Sequence, residues 1–445
     1  MFSFLGTRMG SAQPREGPLT DGAPPAEAVS LPRARMTRAR IRRGLRETFI
    51  SLRYPNYRLW FAGQLVSLFG TWMQVTAQGF LIYELTRSPA YLGYVGFAAG
   101  IPSWLFTLYG GLVADRIPRR TLLIITQSAM MVLAFTLAYL TFSGIVQPWH
   151  IIVLAFLLGV ATAFDAPARQ AFTIELVERQ DLTNAIALNA TMFNMATIVG
   201  PAVGGIVYAL AGAAWCFVVN GISFVAVIVA LALMKFDKAR AAPNSSAAGG
   251  LREGLRYVWR TKTVRGLIAS LGAFALFGIG FVTLIPAWSV EVLGGTAATN
   301  GLLLSARGIG SLVAGLMIAA LGRYHIKGKL LTLGSFAMGL TLLAFAATDL
   351  LPFSMLAIAG VGWGFMLIVN TINALVQGQV PDELRGRVMG IYTLVFFGMV
   401  PIGSLLAGIA AAEFGEPATV AVGALLLLAV SGLLWLRWPA LRRLP

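Results

Sequence analysis

Apolar residues run along this chain in twelve long blocks: 58–84, 91–113, 121–142, 150–168, 184–210, 214–235, 265–290, 300–321, 330–348, 352–374, 388–412 and 417–437. A helix needs roughly 20 apolar residues to cross a hydrocarbon layer, and the blocks are of that order. They are far longer than a barrel strand. Backbone polar groups in lipid must bond within their own segment, so the blocks are expected to be helices. The pattern predicts an all-α membrane protein with twelve transmembrane helices.

Composition agrees with a lipid solvent. The chain is 57% hydrophobic and only 12% charged, whereas a soluble domain carries about 25% charged residues. The net charge of +16 would suit a nucleic-acid partner if it lay on one surface. It lies instead in short clusters between the apolar blocks, which argues against nucleic acid and for membrane orientation.

Assigning loops alternately to two sides separates the charges. One side collects Arg116, Arg119 and Arg120, then Arg169 and Arg179, then Lys238, Arg240, Arg252, Arg256, Arg260 and Lys262. It also collects Arg323, Lys327, Lys329, Arg385, Arg387, Arg442 and Arg443. The other side holds Arg87 and otherwise acids: Glu291, Asp349, Glu413 and Glu416. The basic side is expected to be cytoplasmic, with both termini on it.

Five regions follow. Residues 1–48 read as a basic cytoplasmic tail without signal-peptide character, able to touch anionic membrane lipid through the arginines of 33–46. Residues 49–235 form a first six-helix half and 265–437 a second. Between them, 236–264 opens with a Pro/Ser/Gly linker and continues as an interfacial helix. In that helix Leu251, Leu255, Val258 and Trp259 are set against Arg252, Arg256 and Arg260. Residues 438–445 are a second tail. The halves look related and pseudo-symmetric. Gly111 and Gly315 sit in corresponding places, and Gly200, Pro201, Gly204 and Gly205 answer to Pro401, Gly403 and Gly408.

Enzyme chemistry has no visible seat. The one cysteine, Cys216, lies inside an apolar block, and the two histidines, His150 and His325, lie in different loops. No catalytic cluster, metal set or cofactor motif is expected, and no phosphate-binding loop of the Walker type is present.

The sharpest motif is Gly111-Leu-Val-Ala-Asp115-Arg116-Ile-Pro-Arg119-Arg120. A glycine admits a neighbouring helix closely, and an acid at the membrane edge can face a positive helix terminus. The segment resembles the loop between helices two and three of the major facilitator superfamily, with Pro118 where that family usually has glycine. The resemblance implies that Asp115 locks helix two to helix eleven when the protein faces outward. It also implies that the arginines pair with an acid at the inner end of helix four, for which Asp165 fits, with Arg169 one turn on. Gly200-Pro201-Ala-Val-Gly204-Gly205 reads either as a packing kink or, by resemblance, as the family's antiporter motif.

More specific resemblances follow. Phe164-Asp165-Ala-Pro167-Ala-Arg169-Gln170-Ala-Phe172, Asn184 to Asn189, Tyr83 to Pro89 and Arg385-Gly-Arg387-Val-Met look like the transmembrane secretion effector branch, which includes enterobactin exporters and macrolide efflux proteins.

In the first block Gln64, Ser67, Thr71, Gln74 and Gln78 recur at helical steps on one face. Lipid penalises such a row, so it faces protein or water. In the tenth, Trp363, Asn370 and Gln377 fall seven apart with Asn373 beside them. In the family, helices one, four, seven and ten line the cavity, so Gln74, Gln78, Trp363, Asn370 and Asn373 are cavity candidates. The alternative is interhelical hydrogen bonding. Arg307, a lone arginine in the eighth block, should pair or meet an anionic substrate. Glu84 and Arg87 are expected to form an ion pair at the rim. Ala319 stands where the repeat would repeat Asp115, so the charge-based lock is expected in the first half only.

The function implied is secondary-active export of small amphipathic organic molecules by alternating access, driven by a proton gradient. A monomer in a bacterial cytoplasmic membrane is expected. An importer or lipid flippase on the same scaffold is the rival.

Overall fold

The computed structural model describes residues 48–235, 251–321 and 326–438. The first tail except Thr48, residues 236–250 of the linker, Arg323, His325 and residues 439–445 lie outside the described residues.

Each apolar block is helical. We number the crossing helices α1 Pro55–Thr86, α2 Pro89–Arg116, α3 Arg119–Phe142, α4 Pro148–Leu176, α5 Leu182–Ala211 and α6 Ala213–Leu233. The second half holds α7 Lys262–Glu291, α8 Ala297–Leu321, α9 Lys327–Ala346, α10 Leu351–Gln379, α11 Asp382–Phe414 and α12 Glu416–Arg437. A short linker helix, Leu251–Arg260, precedes α7. Among the described residues, eleven helices are long and apolar enough to cross a membrane. The twelfth is α2, at 28 residues. Helix α7 is interrupted by a 3-10 turn at Gly280–Leu284, where it passes against Gly403 of α11.

Local sequence explains where the helices begin and turn. Proline stands at the first positions of α1, α2, α4, α10 and α12, where its missing N–H costs no bond. The repeat is visible in the turns. A single residue, Gly212, joins α5 to α6, and a single residue, Gly415, joins α11 to α12. Their φ values are +89° and +80° with ψ near 160°, a region open essentially to glycine.

Each half has its own core. In the first, Trp60 and Phe172 meet edge to face at 5.2 Å among Tyr57, Leu123, Leu188 and Leu231. In the second, Trp288 stacks on Phe345 at 4.4 Å within one continuous cluster.

The halves meet chiefly along two crossings, α2 with α11 and α5 with α8. Both are glycine contacts. A Cβ on Gly100 would collide with Pro401, and one on Gly408 would lie 2.6 Å from Gly93 Cα. At the related crossing, a Cβ on Gly301 would collide with the Pro201 carbonyl, and one on Gly205 with the Ala297 carbonyl. The glycine and proline clusters of α5 and α11 are thus the surfaces by which the halves touch. Gly200 and Gly204 serve a second contact, seating α5 on Trp72 and Met73 of α1.

A Cβ at Gly212 would meet no atom within 4 Å, so substitution there isolates backbone strain. Gly212→Ala should lower the melting temperature of the detergent-solubilised protein, by the equivalent of about 1–3 kcal/mol. Gly432→Ala, in α12 and equally uncrowded, should leave it unchanged or slightly raised. Equal melting of the two variants would contradict this account of the turn.

Candidate functional site

At the end of the bundle where the odd-numbered helices finish, the halves are sealed. Tyr83 Oη donates to Glu291 Oε1 at 2.6 Å, joining α1 to α7. Thr283 Oγ1 donates to the Leu92 carbonyl at 2.9 Å, joining α7 to α2. Asn300 Nδ2 reaches the Thr76 carbonyl at 3.5 Å. The glycine crossings complete the seal.

At the other, basic end the same helix faces part. Gly111 lies 18 residues after Gly93 on α2, and Gly390 lies 18 residues before Gly408 on α11. Eighteen residues is five full helical turns, so both glycines lie on the faces that touch at Gly93 and Gly408. Yet a Cβ on Gly111 or Gly390 would meet nothing within 4 Å. Helix α8 repeats the observation: Gly301 and Gly308 abut α5, whereas Gly315, seven residues further on, faces open space.

Under the seal lies a chamber of about 220 Å³. Its walls come from both halves: Trp72, Val75 and Gln78 of α1, Leu92 and Val95 of α2, Ala155 and Leu158 of α4 and Pro201 of α5. From the second half come Val282, Thr283 and Pro286 of α7 and Asn300, Leu304 and Arg307 of α8. The lining is mostly apolar, with a few polar groups converging on it, the usual composition of a small-molecule site.

The polar stripe of α1 divides among three tasks. Gln78 lines the chamber. Gln74 does not: its Oε1 accepts a hydrogen bond from Asn220 Nδ2 of α6 at 2.6 Å, and only 3% of the residue is exposed. Gln64 Oε1 accepts from Arg169 Nη1 of α4 at 3.4 Å. Trp363, Asn370 and Asn373 are not among its walls, and Asn373 Oδ1 accepts from Gln377 Nε2 at 2.6 Å on its own helix. One face of a helix therefore need not meet one surroundings along its length, which is why the stripe alone did not separate Gln78 from Gln74.

Arg307 does reach the chamber. Its stem lies against Gly362 of α10, its Nε is buried without a hydrogen-bond partner, and the ion pairs among the described residues do not include it.

The basic loop is arranged differently from expectation. The Asp115 side chain lies outside the described residues, although its backbone lies in the last turn of α2. Arg116 is exposed. Arg119 Nη1 binds Glu175 Oε1 at 2.6 Å, and Arg120 Nη2 donates to the Ala232 carbonyl of α6 at 3.0 Å. Thus the α4 acid that receives a loop arginine is Glu175, not Asp165. Asp165 stands eleven residues from the end of α4, roughly 16 Å deep. There its Oδ1 accepts from Thr126 Oγ1 and Gln127 Nε2 of α3, both at 2.9 Å, and Arg169 Nε stands 3.7 Å from Oδ2. Loop residues could reach only the helix terminus, and Glu175 is nearer it.

The rim also differs. Glu84 accepts a hydrogen bond from Tyr208 of α5, and no Glu84–Arg87 pair occurs among the described residues. Arg87 takes φ of +50° as it closes α1. The linker helix turns Val258 inward, leaves Leu255 and Trp259 exposed beside its arginines, and is fastened to α11 by an Arg387–Glu253 ion pair. Asn220, Glu175 and the Tyr83–Glu291 pair were missed from sequence. Asn220 carried a usable signal, a lone amide inside an apolar block.

Comparison with known proteins gives a consistent result. A family model described as transmembrane secretion effector matches residues 47–442. The staphyloferrin A transporter of Staphylococcus aureus is 26% identical over 367 residues, 82% of this chain and 92% of that protein. The multidrug efflux pump Tap of Mycolicibacterium fortuitum is 29% identical over 362 residues, 79% of this chain and 88% of that protein. In fold, the chain is similar to the crystal structure of the nucleoside transporter NupG, with a TM-score of 0.70 at 13% identity, covering 87% of this chain and 98% of that one.

The Gln74–Asn220 bond makes a structural role for Gln74 testable. In a double-mutant cycle on melting, Gln74→Leu and Asn220→Leu should show coupling of about 0.6 kcal/mol, and at most about 2 kcal/mol. Strict additivity would remove the bond from the account.

Proposed function

We propose an export function on one premise: the chain belongs to the transmembrane secretion effector family. It is a multi-pass membrane transporter of the major facilitator fold, not an enzyme. Our reading is that it moves small amphipathic organic molecules, drug-, macrolide- or siderophore-like, out of the cell as a monomer in a bacterial cytoplasmic membrane.

The observation that carries this reading is a chamber between two halves that are sealed at one end and parted at the other. Charge asymmetry supports a cytoplasmic basic end, and on that reading the described state is inward-facing. A molecule partitioned in the inner leaflet or the cytoplasm can enter between α2 and α11 or between α5 and α8. Rocking of the halves would then part the Gly93–Gly408 and Gly205–Gly301 crossings. The same movement would bring Gly111 toward Gly390, with Asp115 holding the closed basic end by its charge at the terminus of α11. Export against a gradient needs an energy source, and in the absence of a nucleotide-phosphate loop we assign it to proton antiport.

The efflux and siderophore transporters named above support this substrate class, and a deletion strain tests its direction. Loss of the gene should raise cellular accumulation of a dye or siderophore, and inside-out vesicles should take the dye up only with an imposed pH gradient. Loss of uptake on deletion would favour the importer or flippase. Asp115→Asn should lower vesicle transport by up to about ten-fold, the worth of a partly buried charge at a helix end, with membrane insertion intact. Full activity would refute the lock.

A second measurement addresses the movement. With Cys216 replaced by alanine, Gly111→Cys and Gly390→Cys should cross-link only when the halves close at the basic end. Tyr83→Phe, which loosens the opposite seal, should raise the cross-linked yield. A yield indifferent to Tyr83→Phe would sever the two ends.

A further inference from the structure

We propose that the chamber selects molecules bearing an anionic group, with Arg307 as the receiving cation; this deepens the reading above and rests on the chamber being the substrate site. The chamber wall contains one formal charge. Arg307 supplies it from α8, about 15 Å from the start of that helix, near the middle of the bundle. None of the other lining residues is acidic. Two acids toward the sealed end are already engaged: Glu291 accepts from Tyr83, and Glu84 from Tyr208.

An arginine in this position is costly to keep and easy to lose. A guanidinium removed from water demands a partner, and a neutral residue would fill the same volume at lower cost. Its stem is held closely: a Cβ on Gly362 would lie 3.1 Å from Arg307 Cγ and would collide with the Arg307 carbonyl. The side chain is therefore positioned by α10 rather than free to leave for the interface. Its Nε is buried without a partner.

Gln78 also lines the chamber, from α1, and its side-chain amide can donate two N–H groups. Asn300 lies seven residues before Arg307 on the same face of α8, but its donor is engaged on the Thr76 carbonyl, which leaves the guanidinium as the receiving group. A planar fork of donors binds a carboxylate in two-pronged fashion better than it binds a neutral ester or amine. Trp72, Val75, Leu92, Val95 and Leu304 supply an apolar surface for the body of the ligand. At about 220 Å³ the chamber is smaller than the roughly 300–1,000 Å³ of a drug-sized pocket. It holds the anionic head and adjoining apolar part, while the remainder extends toward the basic end. The ligand class is an amphipathic carboxylate.

The test uses purified full-length protein in nanodiscs and two probes that differ in charge alone: 11-(dansylamino)undecanoic acid and its methyl ester. Binding is read as energy transfer from tryptophan to dansyl, corrected with empty nanodiscs. The wild type should bind the acid more tightly than the ester. Arg307→Gln should weaken acid binding by about ten-fold or more, the loss of one charge-assisted hydrogen bond, and leave ester binding within about two-fold. Arg307→Lys, which keeps the charge and most of the volume, should retain the acid preference and covers the case in which Arg307→Gln does not fold. Equal binding of acid and ester by the wild type, or an acid-to-ester ratio unchanged in Arg307→Gln, would overturn the proposal. Since binding is measured without transport, an acid preference that depends on Arg307 would stand even if vesicles disproved export.

Discussion

Everything in this structure depends on how two halves can touch inside lipid without being glued together. Lipid tails are as apolar as leucine, so burying apolar surface between helices there gains little. What remains is close contact of backbones, and only glycine permits it. The chain places that contact at Gly93–Gly408, Gly100–Pro401, Gly301–Pro201 and Gly205–Ala297. Large interdigitating side chains would bind the halves in one register. Smooth backbone crossings, joined by a few hydrogen bonds at one end, would let them roll, as the proposed rocking requires.

The polar groups follow the same logic. Within a half they are paired, as Gln74 with Asn220 and Asp165 with Thr126 and Gln127. Each pair spans two helices of the same half and travels with it. Between the halves, the polar contacts among the described residues lie at the seal, where Tyr83 meets Glu291, Thr283 meets Leu92 and Asn300 meets Thr76. A buried polar group left unpaired is expensive, and Arg307 lies in the chamber itself. Pairs within a half, hydrogen bonds at the seal and an arginine whose Nε is buried without a partner divide this polar inventory into three parts.

Much of this was legible before any coordinates. Twelve apolar blocks fix twelve helices, because lipid leaves the backbone no alternative. The glycine–proline clusters of α5 and α11 could be paired from their spacing alone. What could not be read was which neighbour a polar face meets. Period gives a direction around one helix, not the identity of the helix opposite, so Gln74 and Gln78 shared a stripe although one bonds α6 and the other lines the chamber. Depth was the second blind spot. Asp165 and Glu175 both lie on α4, and only their distance from the loop decides that Arg119 takes Glu175. The third was the choice among donors: Glu84 had Arg87 nearby in sequence, but the fold offers it Tyr208.

The repeat also explains why one crossing carries a charged motif and its counterpart does not. Along α8, Gly301, Gly308 and Gly315 recur every seven residues, and successive members drift by only about 20°. They present one nearly straight groove from the seal to the basic end, which α5 occupies only at its upper part. Closing that crossing requires α5 to lie down into a groove already shaped for it, so steric fit alone can define the closed position. On α2 the glycines are less regular: Gly93, Gly96 and Gly100 are followed by Ser103 and by Trp104, which lies against Gly398 of α11, and Gly111 lies beyond. A seam interrupted by larger residues guides its partner less well. In the proposed lock, a charge at the end of such a seam, where Asp115 stands, would add the directionality that shape does not provide. Ala319 in the corresponding place of α8 is then the expected residue, because a continuous glycine groove has no need of the acid.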